Sequence, residues 1–324
     1  MNTMIHSSAH QNRSPLASAT ASRTRSLRLA GRLTRGLGKA ILLIGLCFVM
    51  IYPMLFILSS GFKSIEDIYN PSVVWVPQQF SLQAMNVAIR ILEYPKALLK
   101  TATILVPSVI LQLMTVLLAG YGFARFRFPG RNLFFGILIF TIIVPVQSYI
   151  IPLFVNMKSL NLIDKPAVFY VLALFGMGIR SGLCIFIIRQ FFRNMPTELE
   201  EAAMIDGCGS FGTFMRVMIP NTLPLIATVL VFSIVWYYND YYLSAIFFRA
   251  DFPLSVSLTN MSKLLGTYSQ GLQGIGGMTG QELGLMKEPV LACGCLLTLL
   301  PLVLMYVLLQ RYFTEGVERS GIVG

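Results

Sequence analysis

The sequence contains very little charge, almost no histidine and few cysteines. Charged residues make up 12% of its 324 positions, and its two histidines, His6 and His10, stand close to the N-terminus. The five cysteines are scattered over apolar runs and one polar loop, and Cys293 and Cys295 would face different sides of a helix. Since neither a metal-ligand cluster nor a Ser/His/Asp arrangement is in view, the sequence does not predict an enzyme.

Apolar residues are abundant instead. They form 55% of the chain, and the mean hydropathy is +0.70, which is too high for a soluble domain. A membrane-spanning helix needs about twenty consecutive apolar residues. Six stretches approach or exceed that length, at 40–58, 101–121, 132–153, 166–188, 219–247 and 289–309. We therefore expect an all-α polytopic membrane protein with six transmembrane helices.

The distribution of Lys and Arg predicts the orientation of these helices. Six spans place both termini on one side, and the tails and loops of that side hold fifteen basic residues, against nine on the other. Basic residues concentrate on the cytoplasmic side of membrane proteins. Both termini are thus expected in the cytoplasm, and the net charge of +11 is interpreted as a topology signal rather than a nucleic-acid footprint.

The basic N-terminal tail, residues 1–38, contains many Ser, Ala and Thr and no acidic residue. This composition predicts a disordered cytoplasmic tail, although organelle transit peptides are similarly Arg-rich and acid-poor. Residues 36–39 (GLGK) look like part of a phosphate-binding loop, but Leu33 and Ala40 replace its first glycine and its Ser/Thr. We expect no cofactor, and in particular no ATP, in this chain.

Residues 194–224 are the longest polar interruption between apolar runs, and we expect two short helices at an angle there. Asn194 is predicted to cap a helix that starts near Pro196 and carries glutamates in its first turn. The small side chains of Ala202 and Ala203 would let another protein approach the backbone closely. Gly207 should end the helix in the left-handed conformation. The second helix would place apolar Phe211, Phe214 and Val217 on one face before Pro220.

This stretch resembles the cytoplasmic loop of permeases of binding-protein-dependent ABC importers. The family signature reads EAA, three residues, Gly, nine residues, Ile, one residue, Leu-Pro. The matching positions here are Glu201, Ala202, Ala203, Gly207 and Pro220, while Val217 and Ile219 replace Ile and Leu. The resemblance implies that Glu201, Ala202, Ala203, Asp206, Gly207, Phe211 and Pro220 couple the permease to an ATP-hydrolysing subunit.

The resemblance extends from Tyr52 almost to the end of the chain. Residues 59–64 (SSGFKS), 124–131 (ARFRFPGR), 189–193 (RQFFR) and the end from Gln310 are similar to the carbohydrate branch, in particular to the second permease of maltose-type importers. Lys100-Thr101 departs from the Asn-Ser with which many relatives begin the second span. The implied fold is that of type I ABC importer permeases. The implied partners are a second permease, two ATPase subunits that use ATP and Mg²⁺, a solute-binding protein and membrane lipid.

Four polar residues within predicted spans are candidates for a solute pathway: Arg180, Tyr238, Asn239 and Asp240. A charge at mid-bilayer costs about 2.5–3.5 kcal/mol, so Arg180 should face protein or water. Either Asp240 pairs with it, or its donors hold solute hydroxyls or a carboxylate. An aromatic belt explains some of the rings around Tyr238 equally well. Gly178 and Gly182 are expected to form a small-residue face for helix packing.

The predicted organisation is a tail (1–38), a first span with an external loop (39–98), a permease core (99–310) with the coupling elbow at 194–220, and a C-terminal cytoplasmic tail (311–324). The 248–288 loop is expected outside. The predicted function is import of a carbohydrate or glycoside across a bacterial inner membrane. Two alternatives stay open. One is a non-sugar cargo such as an amino acid, peptide or polyol phosphate, and the other is a stand-alone secondary transporter.

Overall fold

A computed structural model of the chain describes residues 15–73, 75–270, 275 and 279–320. In this part of the chain the regular secondary structure is helical, apart from isolated β-bridge positions at Ile275 and at the Lys63–Phe80 pair. The helices are α1 (Pro15–Gly61), α2 (Ile65–Tyr69), α3 (Gln83–Ile91), α4 (Tyr94–Arg125), α5 (Arg131–Ile143), α6 (Ile150–Ser159), α7 (Ala167–Leu174), α8 (Ser181–Asn194), α9 (Glu198–Ile205), α10 (Ser210–Thr213), α11 (Ile219–Asn221), α12 (Leu223–Tyr238), α13 (Tyr242–Phe247), α14 (Leu254–Gln270), α15 (Gly280–Leu285) and α16 (Lys287–Ser320).

Three helical segments in the described ranges are long and apolar enough to cross a membrane alone. They are Gly36–Gly61 in α1, Tyr94–Arg125 (α4) and Lys287–Leu308 in α16. A fourth candidate consists of Ser210–Asn221 and Leu223–Tyr238, which meet at a bend of 78°. The all-α prediction is confirmed for the described residues, and three of the six predicted spans are long single helices.

The other three predicted spans are broken, which the sequence prediction missed. In the third, α5 ends before Pro145, because the residue preceding a proline is pushed out of the helical region, and Val144 is extended here (φ −70°, ψ 118°). In the fourth, α7 and α8 are separated by residues with positive φ, namely Gly176 (72°) and Arg180 (55°). In the fifth, α12 ends at Tyr238 and α13 begins at Tyr242.

Two further predictions differ from the structure. Residues 1–38 were predicted to be disordered, but residues 15–38 belong to α1. They are rich in the helix formers Ala, Leu and Arg. Residues 1–14 lie outside the described part of the chain. The predicted 248–288 loop contains α14 and α15, with residues 271–274 and 276–278 outside the description. Apolar residues at helical spacing, such as Leu254, Met261 and Leu265, are buried and explain α14.

The chain divides into two units, Met1–Phe56 and Ile57–Gly324. In the first, the apolar side chains described from Leu37 onward are exposed, as expected of a helix that lipid surrounds. The second unit has several apolar cores. One of them joins α4, α8, the elbow and α12 through Val116, Ile188, Phe192, Phe214 and Val229. This core fixes the elbow to the helices that precede and follow it.

Candidate functional site

The predicted elbow forms, with a different starting point. Asn194 is the last residue of α8 rather than a cap, and Met195 is extended before Pro196, so α9 starts at Glu198. The predicted end at Gly207 agrees with the structure. Gly207 has φ +83°, and two backbone bonds close the helix end, Gly207 N–H to Met204 O (3.0 Å) and Cys208 N–H to Ala203 O (2.9 Å). This pair is the Schellman motif, which requires a left-handed residue at that point.

Beyond Gly207, the chain turns into α10 and then into a π-helical turn at Phe214–Met218. Pro220 lies exposed in α11, which ends in the bend before α12. Phe214 is buried against the rings of Tyr121 and Phe192, whose centroids lie 4.8 and 6.4 Å from its own. One aromatic side chain of the second elbow helix thus anchors the elbow in the core.

The opposite surface of the elbow is apolar and exposed. Ile205 is 86% exposed and Phe211 is 69% exposed, and Met204 and Met215 are about half exposed. Glu201, Ala202 and Asp206 are exposed beside them, whereas Ala203 is buried. We call the exposed side chains of Met204, Ile205, Phe211 and Met215 the elbow ridge. Several large exposed apolar side chains in one short segment are typical of a site where another protein binds.

An ion pair that the sequence did not predict holds the elbow to the end of α4. Arg125 Nε lies 3.0 Å from Glu200 Oε1, and the two side chains are only 10% and 12% exposed. Arg125 Nη2 also donates a hydrogen bond of 2.9 Å to the backbone oxygen of Met195. The last residue of α4 therefore holds both the approach to α9 and its first turn.

A cavity of about 440 Å³ lies at the three helix breaks. Its wall includes Arg180 from the α7–α8 break and Asp240 from the α12–α13 break, together with Tyr149 and Tyr242. Two of the four predicted pathway residues are thus brought together. The other two do not line this cavity. The Tyr238 hydroxyl donates to Thr298 O of α16 (2.6 Å), and Asn239 Nδ2 donates to Val235 O within its own helix end (2.9 Å).

Arg180 and Asp240 do not form a direct ion pair, although the sequence raised that pair as one alternative. The Arg180 guanidinium lies over the Trp236 ring, 4.9 Å from its centroid. Asp240 accepts hydrogen bonds from Ser244 N–H (2.8 Å) and Ser244 Oγ (2.9 Å) and caps the start of α13. Among the described residues no carboxylate lies within 4.0 Å of Arg180.

A buried polar network holds the break that carries Arg180. Gln112 of α4 is fully buried, and its Nε2 donates to Ile179 O (3.1 Å) and Ser233 Oγ (3.3 Å). The Tyr237 hydroxyl donates to Gln112 Oε1 (2.8 Å) and accepts from Ile179 N–H (3.4 Å). These bonds satisfy backbone groups that a helix would otherwise pair internally.

Gly178 lies inside this network. A Cβ atom at this position would come within 2.3 Å of Gln112 Oε1 and 2.6 Å of the Tyr237 hydroxyl. Gly178 therefore allows a close approach, as predicted, but it lies in a break and not on a continuous helix face with Gly182. Gln112 could have indicated this network from the sequence, because it is a single amide side chain within an apolar run.

A second cavity of about 510 Å³ is lined by charged residues, including Lys96, Asp251 and Lys263. Lys96 Nζ pairs with Asp251, and this contact holds the pKa of the Asp251 carboxyl below its ordinary value. In the described ranges no group of three or more His, Cys, Asp or Glu side chains could hold a metal ion.

Comparison with known proteins identifies the chain. Residues 112–319 match the family of binding-protein-dependent transport system inner membrane components, and the chain belongs to this family. It is thus a multi-pass permease subunit and not an enzyme. Such a component works with a partner permease, an ATPase and a solute-binding protein.

Several relatives and one solved structure are similar over most of the chain. The polygalacturonan/rhamnogalacturonan transport system permease protein YtcP of Bacillus subtilis is 26% identical over 278 residues, covering 85% of this chain and 93% of the relative. The diacetylchitobiose uptake system permease protein NgcG of Streptomyces coelicolor is 27% identical, covering 84% of each chain. A chain in the crystal structure of a bacterial ABC transporter that imports the acidic polysaccharide alginate has the same fold, with a TM-score of 0.68 and 23% identity over 89% of this chain and 98% of that one.

Proposed function

We propose that this protein is one of two permease subunits of an ATP-driven importer that moves a carbohydrate or glycoside into the cytoplasm. Two ATPase subunits bind ATP and Mg²⁺, and an extracytoplasmic binding protein delivers the solute. The saccharide transport systems named for its relatives support the cargo class. The observation that carries the proposal is the elbow, which combines a buried anchor with an exposed apolar ridge in the segment that contains the family's signature residues.

The elbow is built to transmit a movement. Among the described residues nothing covers its ridge side chains, so they are available to a groove on the ATPase. Its opposite face is fixed by Phe214 in the core and by Arg125 at the end of α4. When the ATPases close on ATP, a rigid elbow shifts α4, α8 and α12 together. The cavity at the α5–α6, α7–α8 and α12–α13 breaks then opens alternately to the two sides of the membrane.

Six spans are proposed, with α5–α6, α7–α8 and α12–α13 each crossing the membrane as a broken helix. Contacts at the two ends support this topology. Arg125 at the end of α4 meets the elbow. At the other end, Asp164 N–H donates to Phe247 O (3.0 Å), and Arg249 N–H donates to the Asp164 carboxylate (2.6 Å). With the elbow in the cytoplasm, both termini are cytoplasmic, and the loops around Asp164 and Arg249 are outside.

The test is uptake by the assembled complex in proteoliposomes, with binding protein outside and ATP inside. A panel of neutral and acidic oligosaccharides is offered, alongside amino acids and peptides. We expect uptake of a saccharide that requires enclosed ATP and stops with a non-hydrolysable analogue. Uptake driven by an ion gradient without ATP would establish the secondary-transporter alternative. ATP-dependent uptake restricted to amino acids or peptides would contradict the carbohydrate cargo.

A further inference from the structure

The cavity at the helix breaks contains a cation without an anionic partner. Arg180 is exposed to it, and within the described part of the chain no acceptor is hydrogen-bonded to its guanidinium. Its contact with the Trp236 ring, 4.9 Å from Cζ to the ring centroid, is a cation–π interaction. This interaction uses no hydrogen-bond acceptor, so the N–H donors of the guanidinium remain available to a ligand.

The backbone that carries this cation is held in place in advance. Arg180 has φ +55°, a conformation that costs energy for a residue other than glycine and persists only where neighbours enforce it. The neighbour is the Gln112–Tyr237 network, which binds both backbone groups of Ile179, the preceding residue. A guanidinium placed on a strained and hydrogen-bonded break is preorganised for binding.

The other polar side chains of the wall suit a sugar. Tyr149 and Tyr242 line the cavity, and among the residues described their hydroxyls have no hydrogen-bond partner. A tyrosine side chain combines an apolar ring, which suits the flat face of a pyranose, with a hydroxyl that can bond to a sugar hydroxyl. Asp240 is the one carboxylate among the described residues of the wall, where it accepts hydrogen bonds from Ser244 and forms no ion pair within 4.0 Å of Arg180. A volume of about 440 Å³ lies within the range of small-molecule sites.

We propose that the solute is an acidic sugar, a uronate-containing oligosaccharide, and that Arg180 binds its carboxylate while the two tyrosines contact the ring and its hydroxyls. The inference rests on the proposed function, since it assumes that a saccharide passes through this cavity. A planar carboxylate matches the paired donors of a guanidinium, and their charges cancel. Neutral hydroxyls would leave the charge of Arg180 without a counter-charge in contact with it.

The experiment uses the assembled complex in proteoliposomes with its binding protein and enclosed ATP. Uptake of oligogalacturonates and oligoglucuronates is compared with uptake of the corresponding neutral galactose and glucose oligomers. Variants are Arg180→Gln, Arg180→Lys and, as a matched loss of one exposed positive charge outside the cavity, Arg249→Gln. The yield of assembled complex is measured for each variant.

We expect the wild type to carry a uronate. Arg180→Gln should lower its uptake at limiting concentration about ten- to a hundredfold, the effect of losing a charge-assisted hydrogen bond, without changing the yield of complex. Arg180→Lys should be intermediate, because it keeps the charge but loses the paired geometry. Arg249→Gln should behave like the wild type.

Three outcomes would overturn the inference. ATP-dependent uptake of neutral sugars alone refutes the acidic cargo and leaves the proposed function standing. Undiminished uronate uptake by Arg180→Gln refutes the role of this residue. In the third outcome, Arg180→Gln loses assembled complex, Arg180→Lys restores it, and neutral and acidic sugars are carried equally. That result shows that Arg180 pairs with a carboxylate of the second permease instead. Absence of ATP-dependent uptake of any sugar by the wild type is a failure of the proposed function itself.

Discussion

Removing Arg125 should release the elbow from the membrane helices. Arg125 and Glu200 form an ion pair of 3.0 Å with side chains only 10% and 12% exposed, and Arg125 also donates to Met195 O. Breaking a buried pair by removing one partner costs about 3–5 kcal/mol, because the remaining charge has no compensation. Taking about 3 kcal/mol for Arg125→Leu, the population of locally opened elbow rises roughly 150-fold.

Hydrogen exchange of the elbow amides measures this opening. In nanodiscs, peptides covering 195–218 should exchange up to about 150-fold faster in Arg125→Leu, while peptides from α14 stay unchanged. The double variant Arg125→Leu/Glu200→Leu removes both charges. Its elbow amides should exchange only about fivefold faster than in the wild type, which is the effect of losing the hydrogen bond to Met195 O alone. Arg127→Leu removes an exposed arginine of the same loop and is the matched control.

The double variant also decides whether the pair explains the effect. Wild-type exchange in Arg125→Leu would refute the reasoning that the ion pair holds the elbow. Exchange in the double variant faster than in either single variant would show that the two side chains act independently, each through contacts of its own.

Three further predictions concern topology, the elbow turn and the buried network. Two variants test the topology: one keeps Cys208 and has the other four cysteines replaced by serine, and the other has all five replaced and carries Lys158→Cys. On intact cells, an impermeant thiol reagent should leave Cys208 of the first variant unlabelled and should label the second variant. The reverse pattern contradicts the six-span topology. The Gly207→Val variant should insert into the membrane normally but no longer associate with the ATPase. A positive φ costs about 1–2 kcal/mol for a residue other than glycine, whereas the space around Gly207 is open, so the effect would come from the backbone. If the variant still associates with the ATPase, the turn at Gly207 is not needed for coupling. Gln112→Leu should lower the free energy of unfolding by about 1–3 kcal/mol for each buried hydrogen-bond partner left unpaired. The exposed control Gln83→Leu should change it little. Equal effects of the two substitutions would show that the buried network does not stabilise the fold.

The elbow could be predicted from sequence because its signals are local. Gly207 ends a helix through its own conformational freedom. The spacing of Phe211, Phe214 and Val217 predicted one shared apolar face, which is wrong, because Phe214 is buried in the core whereas Phe211 is 69% exposed. Even there the start was misplaced. Asn194 and Pro196 fit a capping pattern, but α8 continues through Asn194 because its apolar face packs on α4.

The cavity could be predicted only in part, because its geometry depends on residues far apart in the chain. Apolar content identified the spans but not their breaks, since a proline or glycine within a membrane helix is compatible with both a kink and an interruption. Arg180 and Asp240 were recognised as charges in apolar surroundings. Arg180 contacts Trp236 and Asp240 contacts Ser244. These contacts depend on the backbone conformation of the two helix breaks. Gln112 and Tyr237 meet across 125 positions, a pairing that no local pattern predicts.

Photo-crosslinking from the elbow ridge tests most directly the claim that this permease is driven through its elbow. A photoreactive phenylalanine analogue is placed at Ile205 or Phe211, the most exposed ridge positions, and at Lys158 as an external control, in membranes that contain the whole transporter. We expect both ridge positions to crosslink to the ATPase subunit, with a change in yield when ATP binds, and Lys158 to give no ATPase product. Absence of the ATPase from both ridge products, or an equal product from Lys158, would contradict the proposed coupling.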